Sequence, residues 1–228
     1  MRHGWISEVF TSIQGEGIYA GRRMEFVRLA GCTFGCRYCD TKYAQNRPGR
    51  FLFDGVRFSN PVEAPFLAEL ISEPEVCVTG GEPMEQPDFL KDLTRLLKRH
   101  STTVHLETNG TITRSLSRIL PYIDVVAVDF KIPSATRRPG RWVEHERFLG
   151  KCRKKNCFVK IVVDRHSKLS ELDRVLSIVG RVDRHIPLVI QPRWGSDITK
   201  LLPFQERALE KLDDVRIIPQ IHKYLRLK

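Results

Sequence analysis

The feature that most constrains the fold of this chain is a regular alternation of short β-rich segments with segments of helical spacing. The β-rich segments are mostly continuous apolar runs, which is the pattern of strands covered on both faces. Alternation of this kind over most of a chain predicts βα units around a parallel sheet. The predicted strands are 25–29, 75–78, 103–106, 125–130, 158–163, 187–190 and 215–218.

Helical spacing is clearest in residues 87–98, where Phe89, Leu90, Leu93 and Leu97 recur at intervals of three or four. The other predicted helices are 61–71, 113–120, 169–179 and 204–212. About six βα units fit a partial (β/α) barrel, because a complete eight-unit barrel takes about 250 residues. The chain has 228 residues and shows neither a linker nor a repeat. We therefore expect an α/β fold with a single domain over residues 1–228.

Polar or glycine-rich segments follow nearly every predicted strand. In parallel α/β folds, the binding site forms where the carboxyl ends of the strands meet. We therefore expect a reaction chamber at that end of the barrel. The segments are 31–39, 79–83, 107–110, 129–134 and 191–193.

Three of the six cysteines, Cys32, Cys36 and Cys39, form a C-x3-C-x2-C cluster. Three thiolates on one short loop can bind three irons of a [4Fe–4S] cluster and leave the fourth iron open to another ligand. A zinc site to which Cys152 and Cys157 supply a second pair of ligands is the alternative, although C-x3-C-x2-C is an unusual spacing for zinc. The sixth cysteine, Cys77, lies in an apolar segment and is expected in the core.

Charge and composition restrict the class of protein. The formal net charge is +11, and a basic surface attracts nucleic acid or anionic small molecules. No segment reaches the roughly 20 apolar residues that span a bilayer. The N-terminal residues lack the apolar core of a signal peptide. We expect a cytoplasmic protein with no membrane contact, in a compartment where clustered cysteines bind metal rather than form disulfides.

The cysteine spacing, with the aromatic Tyr38 before the third cysteine, resembles the signature of radical S-adenosylmethionine (SAM) enzymes. The resemblance implies that the open iron binds SAM, and that electron transfer from the cluster yields a 5′-deoxyadenosyl radical that abstracts hydrogen from substrate. The segment Thr-Gly-Gly-Glu-Pro at 79–83 resembles the glycine motif of the superfamily. By that resemblance, Gly81 and Glu82 contact SAM.

Five segments narrow the resemblance to the 7-carboxy-7-deazaguanine synthases. They are Ser-Ile-Gln-Gly-Glu-Gly at 12–17, Cys-Asp-Thr at 39–41, Gly-Gly-Glu-Pro at 80–83, Glu-Thr-Asn-Gly-Thr at 107–111 and Pro-Gln-Ile-His-Lys at 219–223. The implied reaction converts 6-carboxy-5,6,7,8-tetrahydropterin to 7-carboxy-7-deazaguanine with loss of ammonia. The reaction regenerates SAM and belongs to the biosynthesis of queuosine and related 7-deazapurines.

The resemblance also implies residue roles and partners. Substrate binding falls to Ile13, Gln14, Gly15, Arg28, Thr79 and Pro219, and SAM binding to Gly81, Glu82, Lys131, Ser134 and Gln191. Thr41 binds Mg²⁺ by the same resemblance, while His222 and Lys223 either cap the chamber or belong to a surface tail. An electron donor such as flavodoxin or ferredoxin and a homodimer are implied, and no direct contact with nucleic acid is expected.

Several alternatives stay open at the level of sequence. Gln14 could be an exposed turn residue, and Arg28 an outward-facing strand residue. Residues 46–60 are expected to form a loop after the cysteines. The chain could instead be an activase of a glycyl-radical enzyme, which uses the same cysteine spacing. It could also be a non-catalytic, zinc-bearing RNA-binding module, as its basic charge suggests.

Overall fold

The computed structural model describes residues 2–196 and 201–228. The strands in these residues are β1 (His3–Gly4), β2 (Ile6–Ile13), β3 (Arg23–Leu29), β4 (Arg50–Phe53), β5 (Val56–Ser59), β6 (Val62–Glu63), β7 (Glu75–Gly80), β8 (Thr103–Thr108), β9 (Val125–Asp129), β10 (Asn156–Val163), β11 (Leu188–Pro192) and β12 (Val215–Ile217). The α-helices are α1 (Ala64–Leu70), α2 (Pro87–Arg99), α3 (Leu116–Ile119), α4 (Pro133–Thr136), α5 (Trp142–Cys152), α6 (Leu169–Val182), α7 (Leu202–Leu209) and α8 (Ile221–Tyr224).

A single ten-stranded sheet runs through the described residues in the order β12-β11-β10-β9-β8-β7-β3-β2-β4-β5. The first seven strands in this order, from β12 to β3, are all parallel to one another. These strands coincide with the β-rich segments of the sequence, so the predicted partial (β/α) barrel is confirmed. The antiparallel β2 extends the sheet beyond β3.

The helix α2 shows why the helical prediction succeeded. Pro87 lies in its first turn, where the N–H that proline lacks would have no partner within the helix. Lys98 and Arg99 lie in its last turn, where positive charge interacts favourably with the helix dipole. Its apolar face, including Phe89 and Leu93, is buried against the sheet. The predicted helices 61–71 and 113–120 begin later than expected, at Ala64 and Leu116.

The prediction of a loop over residues 46–60 is wrong for much of that segment. β4 and β5 form an antiparallel hairpin, and β4 pairs with β2. The turn between them is Asp54-Gly55, and both residues have positive φ angles. Two-residue turns of this geometry favour Asp-Gly because their twist matches that of the flanking strands. The segment therefore widens the sheet beside the cysteine loop.

The floor of the barrel is made by residues 14–19, which follow β2. Ile18 and Tyr19 pack against an apolar cluster formed by Val125, Phe158 and Val189, near the beginnings of β9, β10 and β11. Gly17 comes so close to the Phe158 ring that a Cβ atom would overlap it. This floor closes the amino-terminal end of the barrel and leaves the carboxyl-terminal end to form the site.

Candidate active site

A cavity of about 570 Å³ lies at the carboxyl ends of the parallel strands. This is the position predicted from the polar segments that follow the strands. Most of the predicted site residues line it, namely Ile13, Gln14, Gly15, Arg28, Cys32, Cys36, Cys39, Thr41, Thr79, Gly81, Glu82, Lys131 and Gln191. Ser134 and Pro219 are not among the residues that line the cavity.

The loop that carries the three cysteines is held in place by backbone hydrogen bonds from neighbouring segments. The N–H of Gly81 donates to Leu29 O, at the end of β3, and the N–H of Glu82 donates to Gly31 O, both at 2.8 Å. The N–H of Arg37 donates to Thr136 O at 3.0 Å. A Cβ atom on Gly81 would overlap the carbonyl oxygen of Gly31, so only glycine allows the two loops to approach this closely.

The three cysteine thiols are partly exposed at the mouth of the cavity, and none forms a disulfide. Burial, together with the nearby negative charges of Asp129 and the other two cysteines, raises the pKa of Cys36 to about 11. Three thiolates are therefore unfavourable here without a bound cation. Within residues 2–196 and 201–228, no three His, Cys, Asp or Glu side chains are grouped to hold a single metal ion.

This arrangement does not support the zinc interpretation. Cys152 and Cys157 are buried in the main apolar core, at the end of α5 and the beginning of β10. They lie near the amino-terminal end of the barrel, opposite the cysteine loop, and cannot complete its ligand set. A cubane cluster, in which each thiolate binds a different iron, fits the three loop cysteines better. Cys77 is a core residue, as predicted.

Glu82 of the glycine motif is buried and already bonded within the protein. Its carboxylate accepts hydrogen bonds from Thr108 Oγ1 at 2.7 Å and from the N–H groups of Asn109 and Met84 at 2.8 and 3.0 Å. Burial outweighs these bonds and raises its pKa above the usual value. Glu82 thus ties the loop after β8 to the loop after β7, and it also lines the cavity.

A network of buried charges crosses the cavity. Asp129 Oδ2 accepts from Lys131 Nζ at 2.7 Å and lies 3.2 Å from Lys160 Nζ. Lys160 also pairs with Glu16 of the floor segment. Burial disfavours the charged carboxylates, but the two lysines hold the pKa of Asp129 below its usual value, and Lys160 does the same for Glu16. No motif in the sequence indicates a role for Glu16, Asp129 or Lys160. A lysine within the apolar run Phe-Val-Lys-Ile-Val-Val was the available signal.

Gln14 is buried, so the alternative of an exposed turn residue is wrong. Its Nε2 donates to Glu107 Oε1 at 2.9 Å, and its Oε1 accepts from the N–H of Glu16. Glu107 Oε2 accepts from Thr79 Oγ1 at 3.0 Å. The rings of Phe10 and Phe26 stack beside this group, with centroids 5.2 Å apart, and both line the cavity. Together these side chains offer a polar edge beside an aromatic wall.

Arg28 faces the cavity, so the alternative of an outward-facing side chain is also wrong. Its Nε donates to Glu8 Oε1 at 2.9 Å, and the same oxygen accepts from the Tyr43 hydroxyl at 2.6 Å. Burial disfavours the charged form of Glu8. Even so, bonds from Lys228 and Tyr43 and the charge of Arg28 hold its pKa below the usual value.

The segment after β12 covers the side of the cavity between β12 and β2. Ile221 N donates to Gly15 O at 2.8 Å, Lys223 pairs with Asp40 at 3.0 Å, and Lys228 pairs with Glu8 at 2.5 Å. His222 and Lys223 line the cavity, so the alternative of a surface tail is wrong for these two residues. We call residues 219–228 the C-terminal wall.

Two predicted residues, Ser134 and Thr41, have distinctive placements. The hydroxyl and N–H of Ser134 both bond to the carboxylate of Glu171, on α6, rather than facing the cavity. Thr41 lies at the start of a short 3₁₀ helix, but its hydroxyl makes no capping bond. That hydroxyl lies 3.7 Å from Cys39 Sγ and remains available to a ligand.

The charges that line the cavity balance, in contrast to the net charge of the chain. The acidic lining residues are Glu8, Glu16, Asp40, Glu82, Glu107 and Asp129, and the basic ones are Arg28, Lys131, Lys160, Arg193, Lys223 and Lys228. Most are paired with one another. The excess of positive charge therefore lies on other surfaces of the protein.

Comparison with known proteins defines the class. A family model described as the Radical SAM superfamily matches residues 26–176. The crystal structure of QueE from Escherichia coli has the same fold, with a TM-score of 0.69 and 24% sequence identity over 96% of this chain and 95% of that chain. The fold, the cysteine loop and the family model agree, so the chain is a radical SAM protein.

Two curated relatives specify the family. The 7-carboxy-7-deazaguanine synthase of Geobacter sulfurreducens is 35% identical over 243 residues, covering 96% of both chains. That of Archaeoglobus fulgidus is 36% identical over 228 residues, again covering 96% of both chains. The chain belongs to the 7-carboxy-7-deazaguanine synthase family. Neither the glycyl-radical activase nor the RNA-binding module is favoured by these relatives.

Membership of this family brings a [4Fe–4S] cluster, SAM and Mg²⁺ as cofactors, and the residues present fit them. Gln191 Oε1 and Asp129 Oδ1 are buried acceptor atoms without a hydrogen-bond partner among the described residues. Buried polar atoms are normally bonded, and both residues line the cavity. The hydroxyl groups and amine of a nucleoside would supply the missing donors. The Thr41 hydroxyl is a hard oxygen ligand of the kind that Mg²⁺ prefers.

Proposed function

We propose that the protein converts 6-carboxy-5,6,7,8-tetrahydropterin to 7-carboxy-7-deazaguanine and ammonia. One observation carries this proposal: the cysteine loop and the family-specific segment around Gln14 line the same cavity. When bound, the cluster and SAM supply the one-electron chemistry that activates a C–H bond of the substrate. The protein provides binding, orientation and exclusion of water.

The proposed substrate site lies between the floor and the C-terminal wall. Arg28 binds the substrate carboxylate, because a guanidinium can donate two parallel hydrogen bonds to it. Gln14, Thr79 and Glu107 bind the polar edge of the heterocycle, since amide, hydroxyl and carboxylate groups match alternating donors and acceptors. The stacked rings of Phe10 and Phe26 pack against its apolar surface. Ile13 and Gly15 complete this site.

The proposed cofactor site lies at the mouth. Cys32, Cys36 and Cys39 hold the cluster, and Thr41 holds Mg²⁺. Gly81, Glu82, Lys131 and Gln191 surround SAM, with Gln191 Oε1 accepting a hydrogen bond from it. The predicted roles of Ser134 in SAM binding and of Pro219 in substrate binding remain predictions. For Ser134, the role requires its hydroxyl to exchange Glu171 for the ligand.

Four broader expectations complete the proposal. Ten of the twelve strands in the described residues share one sheet, and one main apolar core packs against it, which supports a single domain over 1–228. No helix among the described residues is long and apolar enough to cross a bilayer. We place the protein in the cytoplasm because thiolate ligands require a reducing compartment. A flavodoxin or ferredoxin is the proposed electron donor. The proposed homodimer can be tested by light scattering.

Anaerobic reconstitution followed by mass analysis of the product tests the function. We expect the wild-type protein to form 7-carboxy-7-deazaguanine from the pterin with dithionite as the reductant. Cys36→Ala should lose this activity and part of its bound iron. Cys157→Ala is the matched control, because it makes the same substitution at a buried cysteine outside the cavity. A protein with an intact cluster that forms no ring-contracted product would refute the proposal.

A further inference from the structure

Four exposed arginines surround the cysteine loop on its outer surface. Arg37 lies within the loop, between Cys36 and Cys39. Arg137 and Arg138 follow α4, which is bonded to the loop through the Arg37 N–H and Thr136 O. Arg47 lies on the other flank of the loop, beside Gly31. A Cβ atom placed on Gly31 would lie 3.5 Å from Arg47 Nε. We call these four residues the arginine rim.

The arginine rim is not neutralised by its neighbours. None of its members takes part in the ion pairs formed within residues 2–196 and 201–228. Arg138 Nε donates to Gly35 O at 2.9 Å, and the Arg47 guanidinium lies 4.8 Å from the centre of the Trp5 ring. Neither contact removes charge.

Two acidic residues beside the rim, Glu85 and Asp40, offset only part of its charge. Glu85 accepts hydrogen bonds from the N–H and hydroxyl of Thr33, both at 2.7 Å. Asp40 pairs with Lys223 of the C-terminal wall. Four arginines therefore face the one carboxylate of Glu85, which lies beside Gly31 as Arg47 does. The surface over the cysteines is still locally cationic, whereas the cavity behind it has balanced charges.

From this arrangement we propose that the arginine rim is the docking surface for an acidic one-electron carrier protein. The inference rests on the proposed function, because it supplies the electron that the cluster needs. One electron leaves the reduced flavin or iron–sulfur centre of the carrier and enters the cluster, so the step needs no other co-reactant. The cysteines are the part of the cluster site nearest this surface, and docking there gives the shortest path for the electron.

The placement of the rim favours a protein partner over RNA. The rim is confined to the surroundings of the cysteine loop, with α4 on one flank and Arg47 on the other, and it surrounds a redox centre that RNA has no reason to contact. Opposite charges on two proteins steer their encounter and can raise association rates by about tenfold or more at low salt. Salt weakens such an attraction, because the Debye length is only about 10 Å at 0.1 M ionic strength.

The decisive experiment compares two reductants on the reconstituted enzyme. The test variant is Arg37→Glu/Arg137→Glu, since neither side chain makes a hydrogen bond or an ion pair among the described residues. With reduced flavodoxin at low salt, we expect kcat/KM for the carrier to fall by about tenfold or more. With dithionite, a small reductant, we expect turnover and iron content to equal those of the wild type.

A matched control separates this surface from net charge. Arg153→Glu/Lys154→Glu makes the same change in charge at two exposed residues between α5 and β10, at the opposite end of the barrel. This control should retain turnover with flavodoxin. Direct titration of wild-type protein with flavodoxin should show binding that weakens with salt, and the test variant should bind more weakly. This measurement does not depend on turnover.

Four results would overturn the inference. The test variant could turn over normally with flavodoxin, or the control variant could be equally impaired. The test variant could lose iron and dithionite-driven turnover, which would show that the arginines stabilise the loop. A tRNA could bind the rim and be lost in the test variant while flavodoxin-driven turnover is unchanged. Failure of the wild type to form product with dithionite would instead refute the proposed function.

Discussion

Replacing Lys160 by methionine removes the cation that lies between two buried carboxylates of the cavity. Lys160 pairs with Glu16 and lies 3.2 Å from Asp129, and its side chain is only 12% exposed. Removing one partner of a buried ion pair typically costs about 3 to 5 kcal/mol, because the remaining charge keeps its desolvation penalty. Asp129 retains Lys131, so we expect about 3 kcal/mol for Lys160→Met.

Thermal unfolding of the cluster-free protein measures this loss. For a chain of this size, 1 kcal/mol shifts Tm by about 2–4 °C, so Tm should fall by about 6–12 °C. Lys160→Met/Glu16→Gln should recover part of the loss, because the double variant no longer buries the unpaired Glu16 carboxylate. Lys154→Met, at an exposed lysine, should leave Tm unchanged.

The same variant should change the dependence of stability on pH. Lys160 holds the pKa of Glu16 below its usual 4.5 and helps to hold that of Asp129 below its usual 3.8. A carboxyl group whose pKa is lower in the folded state than in the unfolded state stabilises the fold at any pH above the unfolded-state value. This contribution is lost as the pH falls through the folded-state pKa. Below pH 4.5, the wild type should therefore lose stability more steeply than Lys160→Met. Equal Tm values at pH 7, or parallel pH profiles, would refute the assigned role of Lys160.

Three other substitutions test the cavity. Gly81→Ala places a Cβ atom against the carbonyl oxygen of Gly31, and we expect a loss of about 1–3 kcal/mol in unfolding free energy, measured without cofactors; unchanged stability would contradict the tight loop contact. Gln191→Leu removes a buried acceptor that has no hydrogen-bond partner, so the Tm of the cofactor-free protein should stay the same or rise. The same variant should bind SAM more weakly when the affinity is measured by calorimetry. Lys228→Met removes the ion pair between the C-terminal wall and Glu8, so limited proteolysis should cut the wall faster than in the wild type; equal rates would show that this pair does not hold the wall.

The parallel core of the sheet could be predicted from the sequence because both faces of its strands are covered. Strands of that kind appear as uninterrupted apolar runs. The helix α5 could not be recognised from its apolar pattern. Its buried residues have helical spacing, but two of them, His145 and Cys152, are not typical apolar residues; the four are His145, Phe148, Leu149 and Cys152. β2 was missed because polar residues that face the cavity, such as Glu8, interrupt its pattern.

The site was predictable in its motifs but not in its ion pairs. The cysteine loop and the glycine motif are local in sequence, so their spacing reveals them. Lys160 and Glu16 are 144 positions apart, and no local pattern joins them. The hairpin β4–β5 is a different case, because the Asp54-Gly55 turn was a readable signal of a two-residue hairpin.

The balance of charge within the cavity gives salt a selective effect on this protein. Pairs that are buried and already satisfied are screened little by mobile ions, whereas exposed charges are screened strongly. Raising the ionic strength should therefore leave the uptake of small ligands nearly constant while it slows the arrival of a protein reductant. A simple series of buffers can thus distinguish the supply of electrons from recognition of the substrate, without altering a single residue.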